Sequence, residues 1–316
     1  MIGAHPALAA SRPASMDPTA FAATTVLLES LVLLPLATWQ SWKSRAGKEP
    51  GNGNGAGARA GAGKGIVAGS TSKSASSLVA RLVVVGAIFA FALVLYNDAV
   101  ARVGPVTTAV VTKVDVVLAA VTGAAFLGER LSKGRALASL AAAGGAYLAL
   151  AKGALVVPPP EALVVVSVPV LWLAGHALAK PLLSSGRATP AQLTCARTLV
   201  GAALLLPVAS VTSAGSLGEF LDPPVAATCW AMAVAYAASH LLWYGSLARV
   251  DLSTTYLVTS TSVFFAAAFA LAFLGMSPTW PEVLGALLTW GAASVVVRDE
   301  QDEEQEGEDG KATCRC

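Results

Sequence analysis

Charged residues are scarce in this sequence. Asp, Glu, Lys and Arg make up 13% of its 316 residues, against roughly a quarter in an ordinary soluble domain. Hydrophobic residues make up 55%, and the mean hydropathy is +0.65. A soluble domain of this size could not use so much apolar material without exposing large apolar patches. The composition therefore excludes a soluble enzyme, a nucleic-acid-binding protein and a disordered scaffold, and it indicates a membrane protein.

Several site signatures are also missing. The four cysteines do not suggest a disulfide framework, no Cys/His cluster has the spacing of metal ligands, and no glycine-rich loop resembles a phosphate cradle. A membrane-embedded enzyme would need a His/Asp/Ser or metal constellation at one depth, and the sequence presents none. We therefore expect no enzymatic activity, no cofactor and no metal.

Long charge-free windows predict an all-α membrane protein. Arg197 and Glu219 enclose 21 residues without a charge, and Asp251 and Glu282 enclose 30. A helix needs about 20 mostly apolar residues to cross the hydrocarbon core. We predict nine spans, near 18–40, 80–101, 104–127, 134–152, 161–179, 190–210, 225–246, 252–274 and 281–297.

The loops between these spans predict the orientation. Segment 41–79 is a Gly/Ala-rich linker that carries six basic residues and one acid, and the alternate loops on its side are also basic. By the positive-inside rule the linker side is cytoplasmic, and eight further spans return the C-terminus to that side. The tail 298–316 has eight acidic and three basic residues and is predicted to be disordered. The sequence does not indicate which membrane holds the protein.

The chain also matches itself. Ala101-Arg102-Val103 matches Ala248-Arg249-Val250 at an offset of 147 residues, and Pro18 and Pro35 match Pro190 and Pro207 at an offset of 172. The difference of 25 residues is the extra length of the linker. Corresponding spans are five apart in order, so the two copies cross the membrane in opposite directions. Inverted repeats of this kind are typical of secondary transporters, whose substrate site lies near the membrane midplane.

The copies differ in length. The first repeat occupies 18–152, after an N-terminal segment 1–17, and shows four spans; the second occupies 161–297 and shows five. A span before residue 18 is therefore expected to be missing. Gly144, Gly145 and Gly291 are expected to allow close packing of helices.

Lys113 lies near the middle of span 104–127, where a charge is costly and usually faces a water-filled cavity or a partner. Asp115 follows two positions later, about 200° around a straight helix. We therefore expect Lys113 to face the substrate path and Asp115 to face a neighbouring helix, with Arg197 as its partner. The alternative is that all three form a structural network that locks the bundle.

Other polar residues at membrane depth are candidates for the same path. Glu29 could take up a coupling proton or pair with a basic residue, and His176 could contact substrate or a proton. A row of hydroxyl groups would line a central cavity if the two repeat-related helices face each other; otherwise these groups bond back to their own helices. The row comprises Thr112, Tyr256, Thr259, Ser260 and Ser262.

The stretch Gly104–Gly145, with Phe126-Leu127-Gly128-Glu129-Arg130-Leu131-Ser132, resembles the EamA repeat of the drug/metabolite transporter superfamily. The second half resembles a full repeat, with Trp172, Arg197 and Phe273-Leu274-Gly275 at matching places. The resemblance implies ten helices in two inverted five-helix repeats, and a family that exports or exchanges amino acids, drugs, nucleobases, nucleotide sugars and sugar phosphates.

Two positions depart from that pattern. Met276 stands where the equivalent of Glu129 would fall, and Thr25 stands at the position that matches Arg197. A lysine at the place of Lys113 is similar to the phosphate-translocator and nucleotide-sugar branches, where a cation would balance phosphate charge.

The sequence thus predicts a lipid-embedded secondary transporter for a small polar or anionic metabolite, working by alternating access. Proton coupling and a homodimer stay open. The alternative functions are a non-transporting structural or regulatory relative and, as a weaker alternative, a membrane-embedded enzyme.

Overall fold

The computed structural model describes residues 5–14, 16–46, 68–127, 132–153, 160–213, 218–292 and 294. The regular elements in these ranges are helices. The α-helices are α1 (His5–Ala10), α2 (Pro18–Ala46), α3 (Ala68–Val103), α4 (Pro105–Val111), α5 (Val114–Thr122), α6 (Lys133–Leu150), α7 (Pro160–Ser184), α8 (Pro190–Thr212), α9 (Pro223–Leu247), α10 (Leu252–Thr259), α11 (Ser262–Leu274) and α12 (280–292). A π-helical segment, Gly123–Leu127, follows α5, and a short 3₁₀ helix, Glu219–Leu221, precedes α9. The prediction of an all-α fold is confirmed.

Six helical segments of the described chain are long and apolar enough to cross a membrane. They are α2, α3, α4–α5 taken together, α7, α8 and α9, and they coincide with six of the nine predicted spans. The other three predicted spans correspond to shorter helices, namely α6, the broken pair α10–α11, and α12. The chain is therefore an integral, multi-pass membrane protein.

Proline and threonine fix where the long helices begin. Pro18, Pro190 and Pro223 each occupy a first helical position, where the missing N–H costs no hydrogen bond. Thr189 caps α8: its hydroxyl accepts from the N–H of Gln192, whose side chain accepts from the Thr189 N–H in return. These local signals set the starts of the helices independently of the packing.

The two repeats run in opposite directions. Gln40 and Ser41, at the end of α2, bond to Thr189 and Gln192 at the start of α8, so these repeat-related helices are antiparallel. The repeat-related pairs α4–α5 and α10–α11 also cross in opposite senses, because α4 packs against α11 and α5 against α10. The predicted inverted architecture is confirmed. We call the end of the bundle where α2 ends and α8 begins the linker end.

The short helix α1 occupies a place that the second repeat fills with α7. The second-repeat helix α7 packs against α3 and α5, whereas α1 packs against α9 and α11, their counterparts in the other repeat. The six described residues of α1 are fewer than a membrane span needs, yet they complete the packing around the centre of the bundle.

The predicted linker 41–79 is partly helical. Residues 41–46 continue α2 and residues 68–79 belong to α3. The Gly/Ala core of the linker lies between them, and its flanks are rich in Ala, Ser and Lys, which a helix tolerates. Residues 47–67, Glu129 to Leu131 of the EamA-like motif, and the acidic tail from 295 onward lie outside the described residues.

One of the three glycines predicted to allow close packing does so. A Cβ on Gly145 would lie 2.6 Å from the carbonyl oxygen of Gly285, and a Cβ on Gly285 would lie 2.5 Å from that of Gly145. By contrast, Gly144 and Gly291 would meet no atom within 4 Å among the described residues. The prediction was therefore wrong for Gly144 and Gly291, because both point away from the α6–α12 contact.

Candidate functional site

A cavity lies at the centre of the bundle. Its empty space, including the part that is open to solvent, has a volume of about 850 Å³. We call it the central cavity. Apolar clusters pack at both ends of it: one includes Phe21, Val100 and Cys229, and the one at the linker end includes Leu193 and Leu247. Its lining residues are His5, Val26, Glu29, Phe89, Ala90, Leu93, Lys113, Asp115, Trp172, His176, Arg197, Thr198, Gly201, Tyr236, Ser239, His240, Trp243, Tyr256 and Thr259.

Two broken helices meet at the cavity. Thr112 and Lys113 separate α4 from α5, and the bonds of this turn are of the i→i−3 type, such as Lys113 N–H to Val110 O. Ser260 and Thr261 separate α10 from α11 in the same way. Lys113 and Ser260 are 147 residues apart, the offset of the repeat, so both breaks lie at the same repeat position. Irregular backbone at membrane depth is tolerated where it lines a cavity or is buried in protein.

The break brings Lys113 and Asp115 to one cavity. Lys113 Nζ lies 3.9 Å from Asp115 Oδ2, and both side chains are more than nine-tenths buried. The prediction that the two face apart was wrong, because it assumed a straight helix through a turn and neglected the reach of a lysine side chain. Asp115 Oδ1 has no hydrogen-bond partner among the residues described.

Arg197 pairs with the aromatic and histidine side chains of α9. Its guanidinium donates to Tyr244 Oη at 3.1 Å and lies 2.8 Å from His240 Nε2, while its Cζ lies 4.2 Å from the centre of the Phe89 ring. The predicted Asp115–Arg197 contact is wrong. A guanidinium group is planar, so it can stack on an aromatic ring and donate several hydrogen bonds in its own plane. This site offers it the face of Phe89 and two acceptors, on Tyr244 and His240.

His240 connects Arg197 to Glu29. His240 Nδ1 lies 2.6 Å from Glu29 Oε1, so with the proton on Nδ1 the ring donates to the carboxylate and accepts from Arg197 at Nε2. Glu29 is fully buried, and within the described ranges its other oxygen, Oε2, has no hydrogen-bond partner. Glu29 therefore has a basic neighbour, as one alternative anticipated, but reaches it through a histidine.

The remaining predicted site residues divide between the cavity and the helix interior. His176, Tyr256 and Thr259 line the cavity, and His176 Nδ1 lies 2.6 Å from Tyr256 Oη. Thr112, Ser260 and Ser262 do not belong to the lining. The Thr112 hydroxyl donates to Ala109 O in its own helix, the alternative that the sequence left open.

A family model named the EamA-like transporter family matches the chain twice, at residues 1–151 and 160–298. The chain belongs to the EamA-like transporter family. A solved structure titled "Crystal structure of protein" shares the fold, with a TM-score of 0.60 and 16% sequence identity over 93% of this chain and 96% of that one. No curated protein matches the chain.

The EamA repeats of this chain place different charges at equivalent positions. Arg197 matches Thr25 and Glu29 matches Gly201 at the offset of 172, and all but Thr25 line the central cavity. The aromatic frame is more alike: Phe89 and Tyr236 are 147 residues apart, and each packs against a histidine, at ring-centre distances of 4.9 Å to His176 and 4.3 Å to His5. An inverted-repeat scaffold thus holds an asymmetric set of charges.

Sequence reasoning missed His5 and His240, together with the aromatic wall of Phe89, Trp172 and Tyr236. One signal could have found the histidines: the chain contains three, and all three line the central cavity. His5 was missed because no span was predicted before residue 18. Among the described residues, no group of three or more His, Cys, Asp or Glu side chains is placed to hold a metal ion.

Proposed function

We propose that this protein is a secondary transporter that carries a small polar or anionic metabolite across the membrane by alternating access. One observation carries the proposal: side chains from both inverted repeats, including four charged ones, line a single cavity between two helices that break at the same repeat position. Buried charges at membrane depth are expensive and usually mark a substrate or ion path. Membership of a transporter family supports the same function.

The breaks supply a means of movement. Each pair of half-helices is joined by two residues with i→i−3 bonds, so one half can tilt without disturbing the regular bonds of the other. The repeats would then open the cavity to one side or the other by moving against each other.

Uptake into liposomes tests this proposal. The full chain, reconstituted alone, is expected to take up at least one solute from a panel of amino acids, amines, carboxylates and sugar phosphates. Preloading the vesicles with that solute should accelerate its uptake, because a loaded carrier returns faster than an empty one. A folded protein that moves no member of the panel would favour a non-transporting relative.

Charge reversal at the cavity sharpens the test. Lys113→Glu is expected to abolish uptake, whereas Lys133→Glu, an exposed lysine at the start of α6, should leave it unchanged. Retention of the native melting profile separates loss of the site from loss of the fold. Full uptake by Lys113→Glu would remove Lys113 from the substrate path.

We further propose that the linker end faces the cytoplasm, since the basic loops lie on that side. Ser185 and Ser210 are exposed near opposite ends of the bundle. In a background without Cys314 and Cys316, a membrane-impermeant thiol reagent applied to intact cells should label S210C and not S185C. The reverse pattern would invert the proposed orientation.

A further inference from the structure

We infer that the central cavity binds a compact solute that carries a protonated amine, with the ammonium group held by Glu29 and with Asp115 as a second acceptor. This inference rests on the proposed function for its biological meaning, but it concerns binding and can be tested without transport. It narrows the substrate class and departs from the phosphate-bearing solutes that a lysine at position 113 suggested.

The first argument is that two carboxylate oxygens in the cavity have no hydrogen-bond donor among the residues that the structure describes. Glu29 Oε1 accepts from His240, but Oε2 has no donor within the described part of the chain, although the residue is fully buried. Asp115 Oδ1 also lacks a donor there, and its Oδ2 is 3.9 Å from Lys113 Nζ, beyond hydrogen-bond distance. Leaving such acceptors unsatisfied is costly. An ammonium group supplies three donors and needs no acceptor.

The second argument is that the cations are already engaged. Arg197 donates to Tyr244, contacts His240 and lies over the Phe89 ring. Lys113 is nearest to an acid in the same cavity. The formal charges of the described lining residues therefore balance, with two acids against two bases. A phosphate or carboxylate would add further negative charge to this balanced set, whereas one oxygen of Glu29 and one of Asp115 have no donor in the described part of the chain.

The third argument comes from the walls. Trp172, Tyr236 and Trp243 present aromatic surface to the cavity, and aromatic faces attract cations. The Tyr236 hydroxyl and the Trp243 indole N–H are buried and have no hydrogen-bond partner in the described chain. They can donate to an acceptor elsewhere on the solute, so both a simple amine and a zwitterion with a carboxylate have the chemistry that the cavity would recognise.

Isosteric probes separate charge from shape. Phenethylamine, phenethyl alcohol and phenylpropionate share one body and differ in a cationic, neutral or anionic end, and phenylalanine adds the zwitterion. Calorimetric titration of the purified full chain in detergent should show phenethylamine or phenylalanine binding roughly ten- to a hundredfold more tightly than phenylpropionate, as expected for a charge-assisted hydrogen bond. If phenylalanine alone binds, the physiological source is a zwitterion; if phenethylamine binds as well, an amine suffices. Equal or tighter binding of phenylpropionate, or no binding of either amine, overturns the inference.

A substitution then tests whether Glu29 is the residue that holds the ammonium group. Glu29→Gln should weaken binding of the amine by roughly the same tenfold or more, since it removes the charged acceptor. The matched control is Glu282→Gln: Glu282 is also a buried carboxylate, but both its oxygens accept hydrogen bonds, from Thr107 and Thr279, and it is not part of the cavity lining. Unchanged amine binding by a folded Glu29→Gln protein would refute the assignment. If that variant does not fold, Asp115→Asn and the probe series on the unmodified chain still decide the question.

Binding and flux distinguish the two proposals. Amine binding by a protein that moves no solute across liposomes would leave the inference standing and refute the transport function. Uptake of an anion by a protein that does not bind amines would do the opposite.

Discussion

Lys113 and Ser260 occupy equivalent positions in the two repeats, each in the two-residue turn of a broken helix, and of the two only Lys113 carries a charge. Lys113 pairs at 3.9 Å with Asp115, whose equivalent is Ser262. At equivalent positions, the first repeat therefore has an ion pair that lines the central cavity, and the second has hydroxyl groups that do not belong to the lining.

Removing the charge of Lys113 alone should leave the buried Asp115 carboxylate without a cationic neighbour. Lys113→Met is expected to destabilise the protein by up to roughly 3–5 kcal/mol, because Asp115 loses its cationic neighbour. The double variant Lys113→Met/Asp115→Asn should recover most of the loss. Apparent melting temperatures in detergent provide the comparison; additive losses in the double variant would mean that the pair does not interact.

Arg197→Lys should behave as a disruptive change. Lysine cannot donate to Tyr244 and His240 while lying flat over Phe89, so the variant loses contacts that depend on the planar guanidinium. We expect the free energy of unfolding to fall by about 1–3 kcal/mol. We also expect the uptake rate to rise less steeply with the concentration of the transported solute. Arg102→Lys is the control: its ion pair with Asp98 is solvent-exposed, and such pairs contribute roughly 0–1 kcal/mol.

Gly145 and Gly144 offer a matched steric test on one helix. Gly145→Ala would place a Cβ 2.6 Å from the carbonyl oxygen of Gly285, so α6 and α12 must separate, at a cost of roughly 1–3 kcal/mol. Gly144→Ala meets no described atom within 4 Å and should be neutral or stabilising by up to about 1 kcal/mol, because alanine favours the helix. A smaller cost at position 145 than at position 144 would contradict the close α6–α12 contact.

Asp17 should stabilise the start of α2 in a pH-dependent way. Partial burial acts to raise the pKa of its carboxyl group. Hydrogen bonds from the Thr19 N–H, from the Ser213 and Thr19 side chains and from the Ala20 N–H together outweigh this effect and leave the pKa below the ordinary 3.8. Asp17→Ala should cost about 1 kcal/mol at neutral pH.

The sign of the pH effect follows from the lowered pKa. The stabilisation is fully present above pH 3.8 and is lost as the pH falls through the lower value in the folded protein. The difference in melting temperature between Asp17→Ala and the unmodified protein should therefore shrink below pH 3.8. A difference that stays constant into that range would exclude the carboxylate as the cap.

The membrane class, the repeats and their opposite directions could be predicted from the sequence because each leaves a mark along the chain. Charge-free windows reveal long helices, and the matches from Pro18 to Pro190 and from Ala101 to Ala248 reveal a duplication. Seven of the ten predicted site residues line the central cavity, since a charged or polar side chain at membrane depth has few other places to go.

The partners of those residues could not be predicted. The turn at Thr112 and Lys113 interrupts an apolar stretch without a proline or glycine to announce it, so counting degrees around a straight helix gave the wrong facing for Asp115. Arg197 contacts His240 and not Asp115, because tertiary packing determines which of several buried groups come together. A search for membrane spans does not detect the short helix α1, and therefore it does not detect His5, which lies in that helix.

The unequal charges of the two repeats affect the balance between the two conformations of the proposed carrier. If the two oppositely directed repeats exchanged their conformations, Glu29 and Arg197 would enter surroundings that Thr25 and Gly201 do not reproduce. Under the proposed transport function, the inward- and outward-facing forms would therefore differ in free energy, and the empty protein would spend most of its time in one of them. Such a bias would make the two half-cycles of transport run at unequal rates, while the solute gradient would still set the direction of net flux.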